Sequence, residues 1–187
     1  NDQIDDIMKK YNPGGVIYFG YNLIDGNQIK GFSKNLQKKS MKYSKIPLFI
    51  SIDQEGGRVI RIKKGVTQFP GSMASGITND ETLVYERARI LGIELRRLGV
   101  NMNLAPVLDV NNNPAKPVIN TRSYGSDPEV VSRMGTEYIK GLQKSKCISV
   151  GKHFPGHGDT NKDSHKTLPV IKYGIKRLQE VEFLPFV

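Results

Sequence analysis

Three histidines, one cysteine and no tryptophan among 187 residues leave few side chains with metal-binding or redox chemistry. The lone Cys147, set in the apolar run CISV, excludes an intramolecular disulfide and reads as a buried, inert thiol. No apolar stretch approaches the roughly 18 to 20 residues that a membrane-spanning helix needs, so no membrane span is expected. No signal-peptide pattern is visible, although the opening NDQIDDIMKKY lacks an initiator methionine and is compatible with a leader removed upstream. Internal repeats and low-complexity linkers are absent. At 20.9 kDa the chain has material for one core, so one domain or part of one is expected.

Acidic residues are scarce beside basic ones, 18 against 28, and the net charge of +10 would suit an anionic partner such as nucleic acid or a charged cell-wall polymer. The lysines, however, spread along helix faces such as IKGFSKNLQKKSMKYSK, with no interleaved aromatics to stack on bases. They read as a solvated surface, and no nucleic-acid partner is expected. Apolar residues at 37% and charged residues at 25% fit a globular chain and exclude a disordered tail.

Short apolar runs alternate with amphipathic stretches, the pattern of βα units. Strands are predicted at VIYF (16–19), PLFISI (47–52), VNMNLAPVLDV (100–110) and CISV (147–150). Ile29, Phe32 and Leu36 space one helix; Val84, Ala88, Leu91, Leu95 and Leu98 space the next, with Gly99 at its C-terminal cap. Asp127 as N-cap and Pro128 in the first turn open a third, with Val131, Met134, Gly135, Tyr138 and Leu142 on its buried stripe. A last amphipathic stretch begins near Ile175. Strands joined by crossover helices lie parallel, so the class is α/β. Polar residues follow successive strands: DQEGG after the second, Asp109 at the end of the third, Lys152-His153 after the fourth. Loading several strand ends favours a (β/α)8 TIM barrel over a doubly wound sheet, which uses that edge only at a switch point. Only four of eight βα units can be placed, so the chain is expected to be part of a barrel.

All three histidines fall within GKHFPGHGDTNKDSH, residues 151–165. His153 and His157 have the i,i+4 spacing of helical zinc ligands, but Pro155, Gly156 and Gly158 oppose a helix there. Loop ligation by His157, Asp159 and His165 remains an alternative. In a second reading Asp163, two residues before His165, steers the imidazole and tunes it for acid/base work on a glycine-rich loop; local turn hydrogen bonds around an exposed His are the plainer option. In DQEGGRVIRI (53–62), Asp53 can accept from two sugar hydroxyls, and Arg58 and Arg61 can donate in pairs. The plainer reading there is a surface ion pair between Glu55 and Arg58. Arg122, in NTRSYG, falls in a loop where function and surface are equally compatible.

Taken together, DQEGGRV, NLAPVLDV, RSYG and KHFPGHGDTNKDSH resemble the N-terminal barrel of glycoside hydrolase family 3, in its bacterial β-N-acetylglucosaminidase branch. The resemblance covers almost the whole chain, in order. It implies a retaining hydrolase that removes terminal β-linked N-acetylglucosamine from cell-wall muropeptides or chitooligosaccharides, without cofactor or metal. His165 with Asp163 would be the catalytic acid/base, and Asp53, Arg61, Arg122, Lys152 and His153 would hold the sugar. Asp109 would support the site, and His157 would order the loop. The family's nucleophile, an Asp on a later strand, would lie beyond Val187, and the barrel's opening strand before residue 1. Residues 1–187 would then be an incomplete domain, family strands two to five, not expected to turn over substrate alone. A non-catalytic sugar-binding fragment or pseudoenzyme, or a phosphorylase, is the alternative. Exposed barrel edges would favour self-association, and a bacterial envelope or extracellular location is favoured over the cytoplasm.

Overall fold

The computed structural model describes residues 2–113, 118–159 and 170–187. Its helices are α1 (Asp2–Tyr11), α2 (Gly26–Tyr43), α3 (Ser72–Thr78), α4 (Glu81–Arg97), α5 (Pro128–Lys144) and α6 (Ile175–Glu180). Its strands are β1 (Gly15–Tyr18), β2 (Phe49–Ile52), β3 (Met102–Asn103) and β4 (Ile148–Ser149). The four strands form one sheet in the order β1-β2-β3-β4, every neighbour parallel. A doubly wound sheet reverses its strand order at a switch point, whereas a barrel adds strands in sequence. The order seen here is that of four consecutive βα units of a (β/α)8 barrel.

Alternation along the strands divides the two faces of the sheet. Tyr18, Ile50 and Ile52 point to the helices and are buried, and the Tyr18 hydroxyl meets Ser33 Oγ on α2 at 3.0 Å. Ile17, Phe49 and Ile148 occupy the opposite face and are exposed. Helices α4 and α5 pack closely because small residues meet at their crossing: a Cβ on Gly141 would sit 2.3 Å from the Tyr85 carbonyl oxygen. The caps follow expectation. Asp127 Oδ1 accepts from the Glu129 N–H at 2.9 Å, and Gly99 ends α4 at φ +82°.

The third strand is much shorter than its apolar run suggests. Ladder pairing stops at Asn103; beyond it the Val150 N–H donates to the Ala105 carbonyl at 3.0 Å, and a bridge joins Val107 to Lys152. Pro106, with no N–H to donate, interrupts the ladder. Buried side chains take over as the lateral glue. Asn103 donates to the Gln54 carbonyl at 2.9 Å and accepts from the Gln54 N–H at 3.0 Å, tying β2 to β3 where the site begins.

Candidate functional site

Each residue expected to hold sugar, where described, lies beyond the C-terminal end of a strand. Asp53 follows β2 directly, Lys152 and His153 follow β4, and Asp109 lies past β3. Arg122 closes the 3-10 turn Asn120–Arg122 before α5. The loop after β2 is shaped from within by Gln54. Its Oε1 accepts from the Arg61 and Ile62 N–H groups at 2.8 and 3.0 Å, and its Nε2 donates to the Ile62 carbonyl at 3.1 Å. Gly56 and Gly57, at φ +94° and +57°, reverse the chain where a Cβ would lie 2.6 Å from the Pro70 carbonyl oxygen and 2.8 Å from Gly71 Cα. This reversal sends Glu55 inward.

The polar groups form one continuous chain. Lys152 Nζ lies 2.6 Å from Asp53 Oδ1 and 2.7 Å from Glu55 Oε1. Arg61 Nη2 approaches the other Asp53 oxygen at 3.5 Å. Arg122 grips Glu55 with two donors, Nε and Nη2, each at 2.8 Å. From there Arg122 Nη2 reaches His153 Nε2 at 3.4 Å, and His153 Nδ1 meets Asp109 Oδ2 at 2.5 Å. Because a guanidinium can only donate, this arrangement puts the imidazole proton on Nδ1, shared with a carboxylate that has no solvent exposure. The second Asp109 oxygen accepts the His157 N–H at 2.5 Å, so the histidine-rich turn is pinned at two points. Burial works against the Arg122 charge, but the paired Glu55 carboxylate outweighs it and raises the guanidinium pKa above its ordinary value.

Asp53, Arg61, Arg122, Lys152 and His153, separated by up to a hundred positions in sequence, are thus brought into one cluster. Asp163 and His165 lie outside the described residues. Glu55 corrects the surface-pair reading: it is only 4% exposed and binds Arg122 and Lys152. Its backbone is held as well, since the buried Arg87 donates from Nη2 to the Glu55 carbonyl at 2.7 Å and lies over the rings of Phe69 and Tyr138. Nothing local in DQEGGR distinguishes a buried Glu from an exposed one; the paired glycines after it were the available hint. Among the described residues, no three His, Cys, Asp or Glu side chains gather as a metal site.

With this geometry established, the comparisons with known proteins are specific. The glycosyl hydrolase family 3 N-terminal domain matches residues 1–187. A family 3 β-N-acetylglucosaminidase from Paenibacillus sp. str. FPU-7 superposes at a TM-score of 0.96 with 48% identity, covering 100% of this chain and 35% of that one. NagZ from Neisseria gonorrhoeae, solved in complex with N-trifluoroacetyl-D-glucosamine, superposes at 0.90 with 32% identity, covering 100% of this chain and 55% of that one. β-Hexosaminidase A of Pseudoalteromonas piscicida is 40% identical over 189 residues, 98% of this chain and 32% of that protein. The chain therefore spans between about a third and just over half of these relatives, and by its sequence and its fold it belongs to glycosyl hydrolase family 3.

Proposed function

We propose that these residues are the sugar-holding part of a retaining β-N-acetylhexosaminidase that removes terminal β-linked N-acetylglucosamine from muropeptides or chitooligosaccharides. The observation that carries the reading is the Asp53–Lys152–Glu55–Arg122–His153–Asp109 chain at the strand ends. A neutral sugar is recognised through hydroxyls that both donate and accept, and this cluster offers carboxylate acceptors beside ammonium, guanidinium and imidazole groups. The ion pairs within it hold each donor and acceptor in place before the ligand arrives, which lowers the ordering cost of binding. The relatives' names agree with that chemistry.

In this reading Asp53 accepts from two ring hydroxyls, while Lys152 and Arg122 donate to the sugar's oxygens and His153, its proton held by Asp109, presents Nε2 as an acceptor beside Arg122. Asp163 and His165 supply the proton step. An imidazolium gives a proton to the departing glycosidic oxygen, and Asp163 steers the ring and stabilises its charged form. Retaining enzymes ordinarily use two carboxyl groups about 5 to 5.5 Å apart, and here a His–Asp pair replaces the acid carboxyl. The nucleophilic carboxylate would come from a strand beyond residue 187.

A chain extended past Val187 to the length of the relatives should hydrolyse a chromogenic N-acetylglucosaminide. His165→Ala should lower kcat by about 10²- to 10⁴-fold, and the wild-type rate should fall on the alkaline side as the imidazole loses its proton. An unchanged rate in His165→Ala, or a flat profile up to pH 9, removes the assignment. Release of a sugar phosphate in phosphate buffer would identify a phosphorylase instead.

A further inference from the structure

Beside Asp53 the structure builds a second feature that the sugar-holding cluster does not use. Tyr18 pairs with Ile52, so the next residues, Phe19 and Asp53, stand side by side at the ends of adjacent parallel strands. Phe19 keeps an extended backbone, which gives it the face of Ile17, opposite the helices. The chain then makes the 3-10 turn Gly20–Asn22 and lays Tyr21 over Phe19, with ring centroids 5.6 Å apart and planes within 2° of parallel.

The turn is braced. Asn22 Oδ1 accepts the Phe19 N–H at 3.0 Å, Gln28 Nε2 donates to the Asn22 carbonyl at 3.1 Å, and Gln28 Oε1 accepts the Ile24 N–H at 3.2 Å. All this holds in place a tyrosine that is 85% exposed. Phe154, also exposed at the mouth, differs because it is packed between Phe183 and Phe186. The Tyr21 turn borders a groove of about 270 Å³ shared by Gly20, Leu23, Ile24 and Arg61, and Arg61 is the residue that reaches Asp53. A rigid, solvent-facing aromatic pair continuous with a polar site is the kind of surface that takes a flat apolar face with wet edges. The C–H face of a pyranose ring is such a surface.

We propose that Tyr21, backed by Phe19, is a carbohydrate platform for the sugar next to the terminal one, so that the protein selects β-linked chitooligosaccharides over a single N-acetylglucosamine. The proposal rests on the reading of the Asp53 cluster as the terminal-sugar site. Titration calorimetry of the chain extended to the length of the relatives, with N-acetylglucosamine and with triacetylchitotriose, in a His165→Ala background so that the trisaccharide is not consumed, separates the two ideas. This parent protein should bind the trisaccharide more tightly. Tyr21→Ala should weaken the trisaccharide by about five-fold and leave the monosaccharide unchanged, with Tyr21→Phe close to the parent, because the ring and not the hydroxyl does the stacking. Equal affinities of the parent and Tyr21→Ala for the trisaccharide overturn the platform. Binding of neither sugar by the parent overturns both ideas. Asp53→Asn with both affinities intact sinks the terminal-sugar reading, while the Tyr21 variants still decide the platform.

Discussion

Glu55 provides the sharpest test of how the site is held. It is buried, and its carboxylate is shared by two cations: Arg122 through two bonds of 2.8 Å, and Lys152 at 2.7 Å. Glu55→Gln keeps the shape and removes the charge. Breaking a buried pair from one side costs about 3–5 kcal/mol, because the other partner is left charged and poorly solvated. Here Lys152 retains Asp53, and the glutamine oxygen can still accept one Arg122 bond, so the expected loss is about 2–3 kcal/mol. For a chain of this size that lowers Tm by about 5–10 °C. The raised Arg122 pKa means that its charge, and hence its share of the pair's stabilisation, is present throughout the range below its ordinary pKa and is lost only in strong alkali. Thermal unfolding followed by circular dichroism at pH 7, in low and high salt, measures the effect. A Tm within about 1 °C of wild type, or a loss that disappears in 1 M salt where exposed pairs are screened, refutes the buried-pair account.

Asp109→Asn leaves one oxygen where two now accept, so either His157 N–H or His153 Nδ1–H loses its partner. The expected cost is about 1–3 kcal/mol, and a ¹⁵N NMR tautomer signature of His153 unchanged from wild type, with no loss of stability, contradicts it. Burial pushes the Cys147 thiol up to about 11, against an ordinary 9.0. The unfolded thiol ionises first, so the protonated fold should lose about 2–3 kcal/mol as pH rises from 9 to 11, a loss absent in Cys147→Ala. Parallel pH–stability curves for the two proteins would refute it. Gly141→Ala drives a methyl against the Tyr85 carbonyl oxygen and should destabilise the α4–α5 contact by about 1–3 kcal/mol; an unshifted urea midpoint would show that the helices have room. With Ile17, Phe49 and Ile148 exposed on one sheet face, the 187-residue protein by itself is expected to associate, and a well-folded 20.9 kDa monomer in light scattering at high concentration would disprove that.

Periodicity and punctuation alone determined the α/β class, helices α2, α4 and α5 with the C-terminal cap of α4 and the N-terminal cap of α5, and the placing of Asp53, Lys152 and His153 at strand ends. These follow from local rules: an apolar stripe every 3.6 residues, an aspartate before Pro128, a glycine where φ turns positive. Helix α1 carries a helical stripe of Ile4, Ile7, Met8 and Tyr11, whereas the seven-residue α3 has too little pattern to be foreseen. In the third strand, the alternation of Val100, Met102 and Leu104 concealed the end of the ladder at Asn103. What only tertiary structure decided is which charges meet. Burial of Glu55 depends on a reversal at Gly56 and Gly57 against Pro70 and Gly71, and on Arg87 arriving from α4. The Asp109–His153 bond joins segments 44 residues apart. Charge pairing at that separation is set by strand order and register, which no local window of sequence contains.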